Sequence, residues 1–273
     1  LLLFFIAFLF TSRFIIRKNY SNKLEKVIED LRNANKQIEE KNKVRDKLFS
    51  VISHDLRSPF SGIVGLADII QSELDTLSKE ELMEYVTLIQ KTSKQSLEVF
   101  ENLLHWGRIQ SGKINPVFTS VNLHDVTDRI SVFFSNNMKL KNLSLENNID
   151  LNCIVKGDAD LIEIVIRNII SNAIKFSFSG GKIILKSQKN MTEIIICITN
   201  FGTPIPEENL DKLFSINRNI STRGTFNEKG TGLGLFLCKE MMELNEGKIW
   251  IQSSNSQSTT FCLLFPIKSD TES

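Results

Sequence analysis

His54 lies in FSVISHDLRSPF, with Asp55, Arg57, Ser58 and Pro59 close behind it. At ~100° per residue, the apolar arc of this helical stretch centres between Leu48 and Ile52. His54 falls on the far, polar side, together with Ser50, Arg57, Ser61 and Asp68. Pro59 removes the hydrogen bond to the Asp55 carbonyl and is expected to bend the helix beside the histidine. A neutral imidazole shown to solvent is a good nucleophile toward phosphorus, and a neighbouring carboxylate can orient it or accept its proton. Asp55 turns toward the edge of the apolar arc, so its reach depends on that bend.

A second set, Asn168, Asn172 and Lys175 in RNIISNAIKFS, recurs at offsets of four and three, which puts all three on one helix face. Asparagine competes for backbone hydrogen bonds inside a helix, so two of them in an apolar run point to a task. Amide oxygens suit hard Mg2+, which takes few protein ligands beside phosphate oxygens, and a lysine one turn further suits the phosphates themselves. A third piece, GTGLGL from Gly230 to Leu235, follows NISTRGTFNEK and opens a helix. Small residues there let backbone N–H groups approach phosphate oxygens at the positive end of the helix.

Two long amphipathic helices must carry the histidine. The first continues through Leu48, Ile52, Leu56, Pro59, Ile63, Leu66 and Ile70. After a turn near 74–77, Ser78 and Glu81 form a capping box for a second helix running to about Ser111. Its expected apolar face is Leu82, Val86, Ile89, Ser93, Ser96, Phe100, Leu103 and Trp106 or Gly107. Such a hairpin has too little core alone, and two copies making a four-helix bundle would bury both stripes. After Gly112, strands at 117–123 and 143–149 flank a helix of residues 124–140. A strong helix covers 158–176, and KIILKSQ and EIIICITN form strands. A loop-rich stretch from 201 to 230, a helix of about 233–244 and the strands KIWIQSS and TTFCLLFPI close an α+β domain.

The N-terminal run LLLFFIAFLF would span ~15 Å as a helix, about half a bilayer core. Arg13, Arg17 and Lys18 follow it, so it reads as the inner half of a transmembrane helix with everything downstream in the cytoplasm. From 17 to 47, Leu24, Ile28, Leu31, Asn35 and Ile38 recur at coiled-coil spacing until the polar run EEKNKVRD breaks the stripe. Lys plus Arg is 33 against 32 for Asp plus Glu, a net charge of +1 that argues against a general nucleic-acid binder. Cys153, Cys197, Cys238 and Cys262 are scattered without a CxxC, which reads as reduced, buried thiols. His105 and His124 have no motif around them.

Together these segments resemble a sensor histidine kinase of the two-component type. SHDLRSPF resembles the phospho-acceptor box, WGRIQSGKI the end of the second hairpin helix, and RNIISNAIKFS the asparagine box. NFGTPIP stands at the first glycine box, KLFSINRNIST resembles the phenylalanine-containing box of the lid, and GTGLGL the last glycine box. The resemblance runs from about 44 to 267 with motifs in order. It implies a fold in which a helical hairpin forms a dimeric four-helix bundle, followed by an α/β sandwich ATP-binding domain with a mixed sheet. The implied layout is a partial transmembrane helix at 1–16, a coiled-coil linker at 17–46, the hairpin at 47–112, the ATP-binding domain at 113–268 and a tail at 269–273.

By the same resemblance, His54 is the phospho-acceptor, Asp55 its acid/base partner, and Ser58 occupies the position that places water for dephosphorylating the partner. Asn168 and Asn172 serve Mg2+, Lys175 the phosphates of ATP, and Asn200 and Gly202 the adenine side. Arg218, Gly230, Thr231, Gly232, Leu233 and Gly234 lie where lid and glycine box touch phosphate. The implied activity is autophosphorylation from Mg-ATP and transfer to an aspartate on a separate response regulator receiver domain. The expected setting is a homodimer at the inner or cytoplasmic membrane, with the kinase core in the cytoplasm and no nucleic acid bound. Three positions depart from the family. Asn200 stands where an Asp is usual, Pro204 replaces the second glycine of its box, and Ser58 replaces Thr or Asn. Weakened nucleotide binding is expected, and the rival reading is a catalytically weak or phosphatase-biased scaffold with a degenerate nucleotide site.

Overall fold

A computed structural model of the chain describes residues 2–110, 115–215, 224–226, 228, 232–255 and 257–267. Helix α1 runs from Leu2 to Ser72 without interruption, through both the polar run at 39–46 and Pro59. The polar run breaks the apolar stripe but not the backbone, because Glu, Lys and Arg lose little rotamer freedom in a helix. Pro59 deletes one rung of the hydrogen-bond ladder and leaves the helix continuous on both sides. The chain divides into two compact units, Leu1–Val51 and Ile52–Ser273, with the division inside α1. Leu24, Leu31 and Ile38, the spaced positions of the first unit, are exposed. No helix among the described residues is long and apolar enough to cross a membrane.

Helix α2 spans Lys79–Gln110 and begins with the expected capping box. Glu81 N–H donates to Ser78 Oγ at 3.2 Å, and Ser78 N–H donates back to Glu81 Oε2 at 2.9 Å. The Ser78 hydroxyl also donates to Glu81 Oε2 at 2.7 Å, and that bond, with the one from the Ser78 N–H, holds the Glu81 carboxyl below the usual carboxylate range. The half-buried or buried stripe of α2 is Leu82, Tyr85, Ile89, Thr92, Ser96, Val99, Leu103 and Trp106. Val86, Ser93 and Phe100, expected on that face, are exposed instead. They belong to a parallel stripe one position on, with Met83, Leu97 and Leu104. On α1 the matching half-buried positions are Leu56, Pro59, Ile63, Leu66 and Ile70, as expected.

The rest is a two-layer α/β domain. Strand β1 (Phe118–Asn122) pairs antiparallel with β3 (Ile154–Asp158), a strand the sequence did not announce. The helix expected over 124–140 is two helices, α3 (Leu123–Phe133) and α4 (Ser135–Leu140), broken at Phe134. Strand β2 (Ser144–Asn148) opens a five-stranded sheet completed by β4 (Lys182–Lys189), β5 (Glu193–Asn200), β6 (Lys248–Ser254) and β7 (Thr259–Pro266). Its order is β2-β4-β5-β7-β6, with β2 and β4 parallel and every other neighbour antiparallel, so the sheet is mixed. Helix α5 (Ala159–Phe176) is capped by Asp158, whose side chain accepts from the Asp160 and Leu161 N–H groups. Helix α6 (Glu207–Leu210) is one turn, and α7 (Gly234–Leu244) packs against α5.

The core lies between the helices and one face of the sheet. Ile162, Val165, Ile166, Ile169 and Ile170 of α5 are fully enclosed, and so are Ile183, Leu185, Ile194, Ile196 and Phe265 of the strands. Each such side chain contributes about 1.5–3 kcal/mol by leaving water. Because side chains alternate along β5, Ile194, Ile196, Ile198 and Asn200 share the buried side, and Cys197 takes the other. Cys197 stands directly opposite Cys262 on β7, and the two form a disulfide with Cα atoms 4.2 Å apart. This corrects the expectation of four reduced thiols. The partners are 65 residues apart, so no local spacing reveals them and only strand order brings them together. Cys153 and Cys238 are free and buried, as expected, and burial pushes both thiols up.

Candidate functional site

Helix α5 buries its apolar side against the sheet and leaves Asn168, Asn172 and Lys175 half-buried on another. Asn172 Nδ2 donates to Asn168 Oδ1 at 3.3 Å, one helical turn away. Lys175 Nζ lies 4.8 Å from the ring centroid of Phe176. The start of α7 comes down on this face. A Cβ on Gly234 would sit 2.6 and 2.7 Å from Asn168 Nδ2 and Oδ1, so a side chain at 234 would displace the asparagine. Gly232 precedes it with a left-handed φ of 72°, where a side chain would be strained, and Leu233 is buried. The structure therefore brings Asn168, Asn172, Lys175, Gly232, Leu233 and Gly234 to one place.

The end of β5 is stitched to the end of α5. Gly202 bridges Ser177, Thr203 N–H donates to the Phe176 carbonyl at 3.1 Å, and Phe178 N–H donates to the Phe201 carbonyl at 3.0 Å. A Cβ at Gly202 would overlap the Phe176 carbonyl, which explains glycine there. No residue from 201 to 206 takes a left-handed φ, so the segment accommodates Pro204 without the positive φ expected to conflict with it. Asn200, on the helix side of the sheet, is 3% exposed, and its Nδ2 finds no hydrogen-bond partner. An orphaned amide at this depth is costly unless something else meets it.

His54 and Asp55 lie in α1, where the backbone alone is described, so their side chains fall outside the described residues. Ser58 is exposed on the same helix. Arg218, Gly230 and Thr231 lie outside the described residues. Three residues that sequence reasoning missed stand at the C-terminal end of α5. They are Lys141, just past α4, and Thr225 and Glu228, in the segment before the glycines. Burial pushes the Glu228 carboxyl up, but the hydrogen bond from Lys141, backbone N–H groups and the Lys141 charge outweigh it and hold the carboxyl below its usual range. Nothing local marks them, since Lys141 and Thr225 are 84 positions apart.

The residues present fit a nucleotide triphosphate with a hard cation. Lys175 and the backbone N–H groups opening α7 suit phosphate oxygens. The amide oxygens of Asn168 and Asn172 suit a cation that keeps most of its ligands from phosphate and water. Among the described residues no cluster of three or more His, Cys, Asp or Glu competes for that role. The buried amide of Asn200 offers both a donor and an acceptor to a base edge.

A two-layer domain with this asparagine-bearing helix, set after a helical hairpin, defines an ATP-binding signalling module. The His Kinase A (phospho-acceptor) domain model matches residues 44–112, and the histidine kinase-, DNA gyrase B- and HSP90-like ATPase model matches residues 157–269. Hybrid signal transduction histidine kinase C of Dictyostelium discoideum is 29% identical over 235 residues, covering 82% of this chain and 19% of that protein. The chain thus spans about a fifth of that relative. The histidine kinase AdeS of Acinetobacter baumannii shares the fold at TM-score 0.63 and 20% identity, covering 79% of this chain and 98% of that one. The histidine kinase ThkA, solved in complex with the response regulator protein TrrA, does so at 0.62 and 23%, covering 86% and 67%. The chain belongs to the sensor histidine kinases of two-component systems, a class of ATP-dependent protein-histidine kinases.

Proposed function

We propose that this chain autophosphorylates His54 from Mg-ATP and passes the phosphoryl group to an aspartate on a separate response regulator. The observation that supports this most is the seating of Gly234 on Asn168, which sets backbone N–H groups beside the asparagine and lysine face of α5. In this reading Asn168 and Asn172 hold Mg2+, which when bound would neutralise charge on the transferring phosphate. Lys175, Gly232, Leu233 and Gly234 serve the phosphates, a role that Arg218, Gly230 and Thr231 share in this reading, while Asn200 and Gly202 serve the base. His54 attacks the γ-phosphorus as its bond to the ADP oxygen breaks, Asp55 takes or steers the imidazole proton, and Ser58 positions water for hydrolysing the phosphoryl group from the regulator. The ThkA–TrrA complex supports a receiver domain as the partner.

The exposed stripe of Met83, Val86, Leu97, Phe100 and Leu104 supports a homodimer through the hairpin, and the spaced residues 24–38 support a coiled coil in the preceding linker. The apolar run at 1–10 followed by Arg13, Arg17 and Lys18 supports anchoring at the inner or cytoplasmic membrane, with the kinase core in the cytoplasm. A scaffold with a weak nucleotide site is the second reading, favoured by Asn200 and Pro204.

The test is incubation of the full chain, in detergent micelles, with γ-labelled ATP and Mg2+, beside His54→Ala and Asn200→Asp. Acid-labile, base-stable label on wild type that disappears in His54→Ala is the expected result. Label that survives His54→Ala would move the phospho-acceptor elsewhere. Label on Asn200→Asp alone would favour the scaffold.

A further inference from the structure

Lys141 is 4% exposed at the connection between α4 and β2. Its Nζ donates to the Ile174 and Lys175 carbonyls at 3.0 and 2.9 Å and to Thr225 Oγ1 at 2.9 Å, and it pairs with Glu228 Oε1 at 2.6 Å. The ammonium also lies 4.8 Å from the Phe226 ring centroid. Ile174 and Lys175 belong to the last turn of α5, where carbonyls lack intrahelical partners and the helix dipole favours a cation. A cap alone would need only those two bonds. The other contacts reach a different part of the chain.

That part is tied around the ion pair. Gly224 N–H donates to the Glu228 carbonyl at 2.8 Å, and Phe226 N–H donates to Glu228 Oε2 at 2.8 Å. Thr225 N–H donates to the Lys175 carbonyl at 3.1 Å, and Thr225 Oγ1 donates to the Ser177 carbonyl at 2.7 Å. The chain is thus fixed at Lys175 at one point and rests on Asn168 through Gly234 at another. These two points bracket the face that carries Asn168, Asn172 and Lys175.

We propose that Lys141 is a positioning residue for nucleotide binding. With Glu228 it clips Gly224, Thr225 and Phe226 to the C-terminal end of α5, beside the asparagine face, before nucleotide arrives. The proposal rests on the reading of that face as the nucleotide site. A segment already ordered favours binding, because the apparent Kd is the intrinsic one divided by the competent fraction. Without the clip, the ordering must occur on binding and the Kd rises.

The experiment measures Mg-ATP affinity of the full chain by calorimetry for wild type, Lys141→Met, Glu228→Gln and the double variant. Amide exchange is followed at Thr225 and Phe226, with Ile196 as the core reference. Each single variant is expected to weaken binding about tenfold, with little further loss in the double, as for a competent fraction cut to about a tenth. Thr225 and Phe226 should exchange faster while Ile196 does not change. Glu228→Gln is nearly isosteric and leaves Lys141 its three other hydrogen-bond partners and the Phe226 ring, so it reports even if Lys141→Met folds poorly. Unchanged affinity with a lowered melting temperature would overturn the clip and reduce Lys141 to a cap of α5. A wild type that binds no Mg-ATP would overturn the nucleotide reading and the clip with it, whereas binding by wild type and both variants alike overturns the clip alone.

Discussion

With Asn200 at the base as proposed, the choice of an amide over a carboxylate acts in opposite directions on the free and the nucleotide-bound protein. The side chain is 3% exposed with no partner for Nδ2, so an aspartate there would be a buried, unpaired charge in the free state. With a base amino group present, the same charge strengthens the hydrogen bond by ~1–2 kcal/mol, or about 5–30-fold in affinity. Asn200→Asp should therefore lower the melting temperature of the free protein and enlarge the shift that Mg-ATP produces. A scan of both states checks it, and an unchanged nucleotide shift would remove Asn200 from the base contact. That Asn168, Asn172, Lys175, Gly232 and Gly234 lie together was legible because helix spacing alone puts them on one face or at one helix end. Lys141 and Glu228 were not, because their partners come from across the fold. Lys141 meets the Ile174 carbonyl 33 positions away and Thr225 at 84.

Elements with a strong internal pattern read correctly, and those defined by their neighbours did not. Helix α5 has a nearly continuous buried side and an aspartate cap, so its existence and its ends are local properties. Strand β3 is five residues ending in Gly157 and Asp158 that pair with the short β1, and its sequence looks like a turn. The break at Phe134 carries no Gly or Pro to announce it. On α2 two adjacent stripes are both apolar, and the sequence mixed them, since only the partner decides which one is covered. The end of α2 yields a pH dependence. Burial pushes the His105 imidazole below its usual range of about 6.5, helped by Arg108 and by Arg167 of α5, with Glu101 opposing. In this window the unfolded chain binds more protons than the folded one, so stability is full above pH ~6.5 and falls as pH drops toward the folded value. Thermal midpoints measured from pH 7.5 to 5.5 should decline in wild type and decline less steeply in His105→Gln.

At the scale of the whole molecule, the two stripes of α2 face different tasks. One is buried or half-buried, with α2 packed against α7, and the other leaves Leu97 at 56% and Phe100 at 46% exposed, an apolar line that a second copy would cover. Phe100→Glu would put a charge into that seam and should weaken dimerisation by at least about 100-fold, which sedimentation at micromolar concentration would read as a halved mass. The disulfide has a consequence for how the domain comes apart under force. Cys197 and Cys262 close a covalent ring of the intervening chain, and Thr225, Glu228, the glycines and all of α7 lie inside it. Pulled from its two ends in an optical trap, the oxidised protein can release every residue except 198–261. Thiol reductant should lengthen the released contour by about 220 Å, the reach of the 65-residue separation. The half of the site carried by that ring would then be the part of the chain a tether cannot straighten until the sulfur bond is cut.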